Sequence, residues 1–266
     1  MTPTAELLGR SPVIEAVRAK MTRLLALQRS APRLPLVLIE GETGTGKGLL
    51  ARTLHRAGPR AAARFVDVNC AAIPETLIEA ELFGFEQGAF TDARRAKPGL
   101  LQIAHHGTIF LDEIGLLPAA VQAKLLKVLD GRMVRRLGGT HEEPVDVWIV
   151  AATNRDLHAA VQEGRFREDL YHRLAVITLT LPPLRERGDD IILLAEHFLA
   201  AACADYGLPP RVLTDEARAR LRGYHWPGNV RELANVIDRA VLLSESTEIR
   251  GPALELAGTA ASPGAP

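Results

Sequence analysis

The stretch "LVLIEGETGTGKGLLARTLH", Leu36 to His55, decides the fold. An apolar run at Leu36–Ile39 stops at the glycine-rich segment Gly41–Gly48, and a helical run follows at Leu49–His55. Glycines at 41, 44 and 46 let the backbone turn its N–H groups inward as an anion nest, and the following helix N-terminus adds positive dipole. Lys47 supplies a mobile charge for outer phosphates. Strand, loop, lysine and helix occur in the order that a phosphate-binding loop requires, the competing reading being a plain glycine-rich turn. Position 48 is Gly, where the general pattern has Ser or Thr to hold magnesium.

Working outward, apolar runs bounded by turn residues recur at Phe65–Val68, Thr108–Leu111, Val147–Ala151 and Val176–Leu181, separated by amphipathic stretches. Most lack period-two alternation, as expected of strands covered on both faces, so the pattern predicts an α/β fold with a largely parallel five-stranded sheet between helices. After Leu181, "PPLRERGDD" is turn-like, and helices are predicted at Ile191–Asp205, Asp215–Arg222 and Asn229–Leu243. A boundary near Leu184 therefore separates an α/β domain (1–184) from a small all-helical domain (185–250). Residues 251–266 are small and Gly/Pro-rich and are predicted to form a tail.

Lys+Arg and Asp+Glu each number 32, for a formal net charge of zero, which excludes wholesale attraction to nucleic acid by bulk charge. Cys70 and Cys203 match no metal-ligand spacing and read as reduced core residues. No apolar run reaches the roughly 18–20 residues that span a bilayer, and no signal-peptide pattern opens the chain, so a cytoplasmic location with no membrane contact is expected.

A second motif, "GTIFLDE" (107–113), ends an apolar strand in two carboxylates at the sheet edge that carries the glycine-rich loop. There Asp112 can hold magnesium through its water shell and Glu113 can orient an attacking water, because phosphoryl transfer needs mainly positioning and charge neutralisation. Capping of the next helix is the alternative use of such a pair. His105 and His106 have no companion ligands and read as a solvated turn.

With "GETGTGKG", "ELFGFEQGAFTDA", "GTIFLDEIG", "GRFREDLYHRL", "LPPLRERGDDI" and "WPGNVREL" in this order, the chain closely resembles the central AAA+ ATPase domain of sigma-54 activators, the bacterial enhancer-binding proteins, from about Leu8 to Leu243. The resemblance implies an AAA+ P-loop NTPase with a helical lid, ATP and Mg2+ as cofactors, and assembly into a ring, expected to be a hexamer. ATP would be held by Leu8, Gly9, Gly41, Glu42, Thr43, Gly44, Thr45, Gly46, Lys47, Gly48, Leu49, Asp112, Asn154 and Arg231, with Asp112 also the magnesium residue. Thr153 and Asn154 match the first sensor and Arg231 the second. Gly48 stands where the family usually has Glu.

The resemblance further implies that Gly88, Ala89, Phe90, Thr91, Asp92 and Ala93 form the loop that grips sigma-54 in the RNA polymerase holoenzyme, with Asp92 where the common motif has Gly. It makes Asn69 a switch residue for Glu113, although on local grounds Asn69 serves equally as a turn cap. It makes Arg167 and Arg173, read as lying on one helix, fingers inserted into a neighbouring subunit's ATP, against surface salt-bridging as the local alternative. Arg132, Arg135 and Arg136 resemble a second pore loop able to approach promoter DNA phosphates. The implied activity is ATP-driven remodelling of the sigma-54 closed complex. The alternative is a regulator that assembles with nucleotide without remodelling, motivated by Asp92. Neither a regulatory domain nor a helix-turn-helix is read in the chain, which fits either an excised motor or an activator acting from solution.

Overall fold

A computed structural model describes residues 7–28 and 34–256. Its contacts divide the described residues into two units: 7, 17–28, 34–42 and 47–181 form the first, and 8–16, 43–46 and 182–256 form the second. Helix α1 (Pro12–Gln28) straddles the division. The break at 181/182 lies just before the boundary expected at Leu184, and two short upstream segments join the second unit.

The first unit continues with β1 (Val37–Glu40), α2 (Lys47–Ala57), β2 (Phe65–Asn69), α3 (Glu75–Phe83), β3 (Gly84–Phe85), β4 (Lys97–Pro98) and α4 (Leu100–Ile103). Then come β5 (Thr108–Asp112), α5 (Ala119–Gly131), β6 (Met133–Arg135), β7 (Glu142–Pro144), β8 (Trp148–Thr153), α6 (Leu157–Gln162), α7 (Glu168–Leu174) and β9 (Ile177–Thr180). Strands β2-β5-β8-β1-β9 make one five-stranded sheet, parallel throughout. Every residue of β8 is buried, whereas β2, at the edge, is only partly so. That contrast explains why the central strands read as unbroken apolar runs. Leu38, Val68, Leu111, Ile149 and Ala151 from the strands pack with Leu82, Leu125 and Leu170 from the helices.

Parallel strands place all their C-terminal ends on one edge, and register aligns what emerges there: Asn69 lies opposite Asp112, and Glu40 opposite Thr153. Two hairpins project outside the sheet. Strands β3 and β4 form the stalk of the 88–93 loop, and β6 pairs with β7.

The second unit contains α8 (Asp190–Asp205), β10 (Val212–Leu213), α9 (Asp215–Gly223), α10 (Asn229–Leu243) and β11 (Glu248–Ile249). Helix α10 buries Leu233, Val236, Ile237, Ala240 and Val241, a 3–4 residue spacing that puts them on one face. Its first turn is tied by Glu232, whose carboxylate accepts from Gly228 N–H at 2.8 Å and Tyr224 O–H at 3.0 Å. The expectation of an all-helical lid is amended by the two-residue parallel ladder between β10 and β11. The tail expected from 251 onward is corrected as well. Gly251–Leu254 form a 3-10 turn, and Leu254 and Leu256 are buried in the lid core, because two leucines suffice to seat a short segment on an apolar face already present. Residues 257–266 of that tail lie outside the described residues.

Candidate functional site

In the first unit, the ends of β1, β5 and β8 bring three groups together. Lys47, 6% exposed, donates from Nζ to Gly41 O at 2.9 Å and Glu42 O at 3.2 Å, and stands 3.9 Å from Glu113 Oε1. Glu113 Oε2 accepts from Asn154 N–H at 3.2 Å. Glu113 itself has φ 56 and ψ 45, a left-handed backbone unusual for a non-glycine residue and concentrated at functional sites. Its N–H is steadied by the Asp112 carboxylate at 3.0 Å. Such a Lys–Glu pair at a sheet edge leaves the carboxylate aimed, which suits it to orient a water rather than to form a helix cap.

Thr153 is fully buried, and its hydroxyl accepts from Arg155 N–H at 3.0 Å, so it shapes the turn that presents Asn154. Asn69 behaves as the turn cap: its Oδ1 accepts from Ala71 N–H at 2.9 Å, and among the described residues it makes no hydrogen bond to Glu113. The expected switch contact is thus not formed in this structure, where the side chain is turned to the backbone of its own loop. Cys70 follows it, buried, and burial together with the Asp112 and Glu113 charges pushes its thiol up to about 12. It stays a neutral core thiol, and Cys203 is likewise buried, in the lid core.

Among the described residues no group of three or more His, Cys, Asp or Glu side chains is placed to hold a metal. Asp112, a single carboxylate at the end of β5, fits Mg2+ bound largely through water and phosphate. Gly48 adds no hydroxyl. His105 and His106, both exposed, lie with ring centroids 3.8 Å apart and planes tilted by 50°, and Asp146 N–H donates to His105 Nδ1 at 3.0 Å, which is the solvated-turn reading.

In the second unit, the segment Thr43–Gly46 carries Gly44 at φ 80 and Gly46 at φ 105. A Cβ on Gly44 would lie 2.3 Å from Gly228 O, so only glycine permits this approach. Arg231 donates its N–H to Gly44 O at 3.2 Å, and its side chain shares with Thr43, Asn235 and Arg239 the lining of a cavity of about 500 Å3. Leu8 packs on the lid core, and Gly9, at φ 145, abuts the Asp190 carboxylate. Asp190 is 3% exposed and accepts from Arg10 N–H at 2.5 Å and from the Ser11 hydroxyl at 2.5 Å. Neither Asp190 nor the buried Arg187 was legible as a site residue, because "RERGDD" carries the composition of a solvated turn.

The loop Gly88–Ala93 closes on itself, Gly88 N–H donating to Ala93 O at 2.9 Å and Ala93 N–H to Phe90 O at 2.9 Å. Phe90, Thr91 and Asp92 are exposed, Phe90 by 42%, while Ala93 is buried and so closes the base rather than offering a contact. Phe90 leans on Phe85, ring centroids 4.8 Å apart. The second hairpin buttresses the stalk: Glu86 N–H donates to Leu137 O at 3.0 Å, and Arg136 bridges Glu86 and Glu143 at 3.3 and 2.9 Å. Arg136 is therefore committed to protein, whereas Arg132 and Arg135 are exposed.

Helix α7 starts only at Glu168, which corrects the expectation that both arginines share a helix: Arg167 is extended, at φ −76 and ψ 132. Its guanidinium forks onto Asp169 at 3.0 and 2.7 Å, and Arg173 meets Asp130 at 3.1 Å. In the single chain both make surface ion pairs.

A parallel five-stranded sheet with this loop and strand-end acids, together with a helical lid, defines the AAA+ class of P-loop ATPases. The profile described as Sigma-54 interaction domain matches residues 7–180, and that described as AAA+ ATPase lid domain matches residues 185–264. The chain belongs to the sigma-54 interaction domain family. The response regulator protein PilR of Pseudomonas aeruginosa is 50% identical over 251 residues, covering 94% of this chain and 55% of PilR. The anaerobic nitric oxide reductase transcription regulator NorR of Salmonella agona is 53% identical over 211 residues, covering 79% of this chain and 42% of NorR. Among solved structures, NtrX of Brucella abortus in complex with ATP superposes with a TM-score of 0.84 at 35% identity, covering 93% of this chain and 53% of that one. The chain spans about half the length of the curated relatives it matches. No helix among the described residues is long and apolar enough to cross a membrane.

Proposed function

We propose that the chain is an ATPase motor that couples hydrolysis, in a ring of identical subunits, to remodelling of the sigma-54 RNA polymerase closed complex. The observation that carries this reading is Glu113, held in a left-handed backbone between Lys47 and the Asn154 N–H. Glu113 orients and polarises the attacking water, Lys47 stabilises charge on the outer phosphates, and Asn154 reports the state of Glu113. Mg2+, when bound near Asp112, supplies further charge neutralisation. Arg167 and Arg173 act in trans, each leaving its exposed acidic partner for a neighbour's nucleotide. Exchange of exposed ion pairs is undemanding, because such pairs contribute little in water.

Phe90 is the anchor for sigma-54: a large apolar side chain left exposed at a loop tip is a contact in waiting. Arg132 and Arg135, exposed on the adjoining hairpin, approach promoter DNA phosphates. A second reading, nucleotide-dependent assembly without remodelling, is favoured by Asp92, which sets a charge beside that anchor.

The test incubates the chain with sigma-54 and an ADP metal-fluoride analogue. A trapped complex that disappears in Phe90→Ala is expected, together with loss of ATP turnover in Arg167→Ala and Arg173→Ala. Ring-dependent turnover with no trapped complex would favour the second reading, and turnover untouched by both arginine substitutions would refute chemistry in trans.

A further inference from the structure

Three consecutive carbonyls of the glycine-rich loop are each claimed by a donor from the far end of the sequence. Asn229 Nδ2 donates to Thr43 O at 3.0 Å, Arg231 N–H to Gly44 O at 3.2 Å, and Arg187 Nη2 to Thr45 O at 2.8 Å. All of these residues belong to the second unit. The donors are themselves locked. Arg187 is 2% exposed and also donates to Pro182 O, from Nη2 at 2.9 Å and Nε at 3.1 Å. Asn229 is fully buried at φ 52, and its Oδ1 accepts from Leu184 N–H at 2.7 Å. Burial of an arginine and an asparagine is costly unless their hydrogen bonds are used, and here they are used on loop backbone.

In a trans peptide the C=O and the following N–H point in opposite directions. Drawing the carbonyls of Thr43, Gly44 and Thr45 toward Arg187, Asn229 and Arg231 therefore turns the N–H groups of Gly44, Thr45 and Gly46 the other way. Gly46 itself is uncrowded, no atom lying within 4 Å of where its Cβ would be. We propose that Arg187 and Asn229 are positioning residues for phosphate binding, holding the loop carbonyls outward so that three consecutive N–H groups face the nucleotide as an anion nest. The consequence is that the loop is shaped by the lid's residues as well as by its own glycines, and phosphate affinity depends on two side chains that touch no phosphate.

This inference rests on the nucleotide reading above, and the experiment separates the two. Affinity of the full chain for a fluorescent ATP analogue and for adenosine is measured in the wild type, Asn229→Asp, Arg187→Lys and Leu221→Ala. Asn229→Asp keeps the shape, the αL-tolerant side chain and the acceptor for Leu184, and sets a carboxylate oxygen against Thr43 O where the amide donor stood. Arg187→Lys keeps a charge with fewer donors in a different geometry. Both are expected to weaken ATP binding roughly tenfold while leaving adenosine binding unchanged, the scale of one lost buried hydrogen bond. Leu221→Ala, a cavity in the lid core, is expected to lower Tm and leave the preference for ATP over adenosine intact. ATP affinity within about twofold of wild type in a folded Asn229→Asp overturns the inference, as does an equal loss for adenosine or the same loss in Leu221→Ala. Failure of the wild type to bind ATP overturns the nucleotide reading itself.

Discussion

Gly99→Ala tests whether the stalk of the 88–93 loop is held by backbone contact. Gly99 has φ −79 and ψ 163, a conformation alanine adopts without strain, so any penalty must come from sterics. A Cβ there would lie 2.4 Å from both Gly84 N and Phe83 C, and 2.5 Å from Leu82 O, where ordinary contact is 3.4–4 Å. The two stalk strands, paired through Gly84–Pro98 and Phe85–Lys97, must separate by about 1 Å to admit it. Overpacking of this kind costs about 1–3 kcal/mol, offset by about 0.4–1 kcal/mol from the stiffer unfolded chain, for a net loss near 1–2 kcal/mol. In a chain of this size that lowers Tm by roughly 2–8 °C. Gly131→Ala is the matched control: it ends α5 with nothing within 4 Å of its Cβ, so the same substitution should hold or raise Tm. Calorimetry reads both. In function, Gly99→Ala should retain ATP turnover and lose capture of sigma-54, because the lesion sits at the base of the stalk that carries Phe90, against Gly84 and Phe83. A Gly99→Ala protein melting at or above wild type would refute the close approach and the reasoning built on it.

Two further outcomes bear on the rest of the molecule. Trp226→Phe removes the Nε1 donor to Leu221 O at 2.9 Å from a fully buried site, and should cost about 2–3 kcal/mol by denaturant titration; a change below ~0.5 kcal/mol would show that the bond is dispensable. His55 is buried, 2.9 Å from Thr108 Oγ1, and burial lowers its pKa. The unfolded chain therefore binds the proton more readily, so stability should fall as pH drops below about 6.5, and His55→Gln should flatten that slope between about pH 7 and 5. Parallel slopes in the two proteins would count against it.

Local chemistry made much of this protein readable from its residues. The run Leu36–His55 announced strand, loop and helix because glycine spacing and a lysine at a helix start have few other uses. Helix α10 was legible at Asn229–Leu243, its apolar residues recurring every three or four positions. The family likewise followed from six ordered motifs, each contiguous in sequence. Tertiary structure decided what depends on distant partners. Asn69 could cap a turn or hold Glu113, and only the fold shows the cap. Arg167 looked helical because nothing local marks it as the extended residue before Glu168. Residues 251–256 looked too poor in apolar side chains to order themselves, yet Leu254 and Leu256 find a core built by α8 and α10. Arg187 reads as one more charge in a solvated turn, and becomes a buried donor only because residues 43–46, some 140 positions earlier, bring a carbonyl to it. Periodicity and motif are properties of neighbours along the chain, whereas burial and hydrogen-bond partnership are properties of neighbours in space, and the second set exists only once the chain has folded.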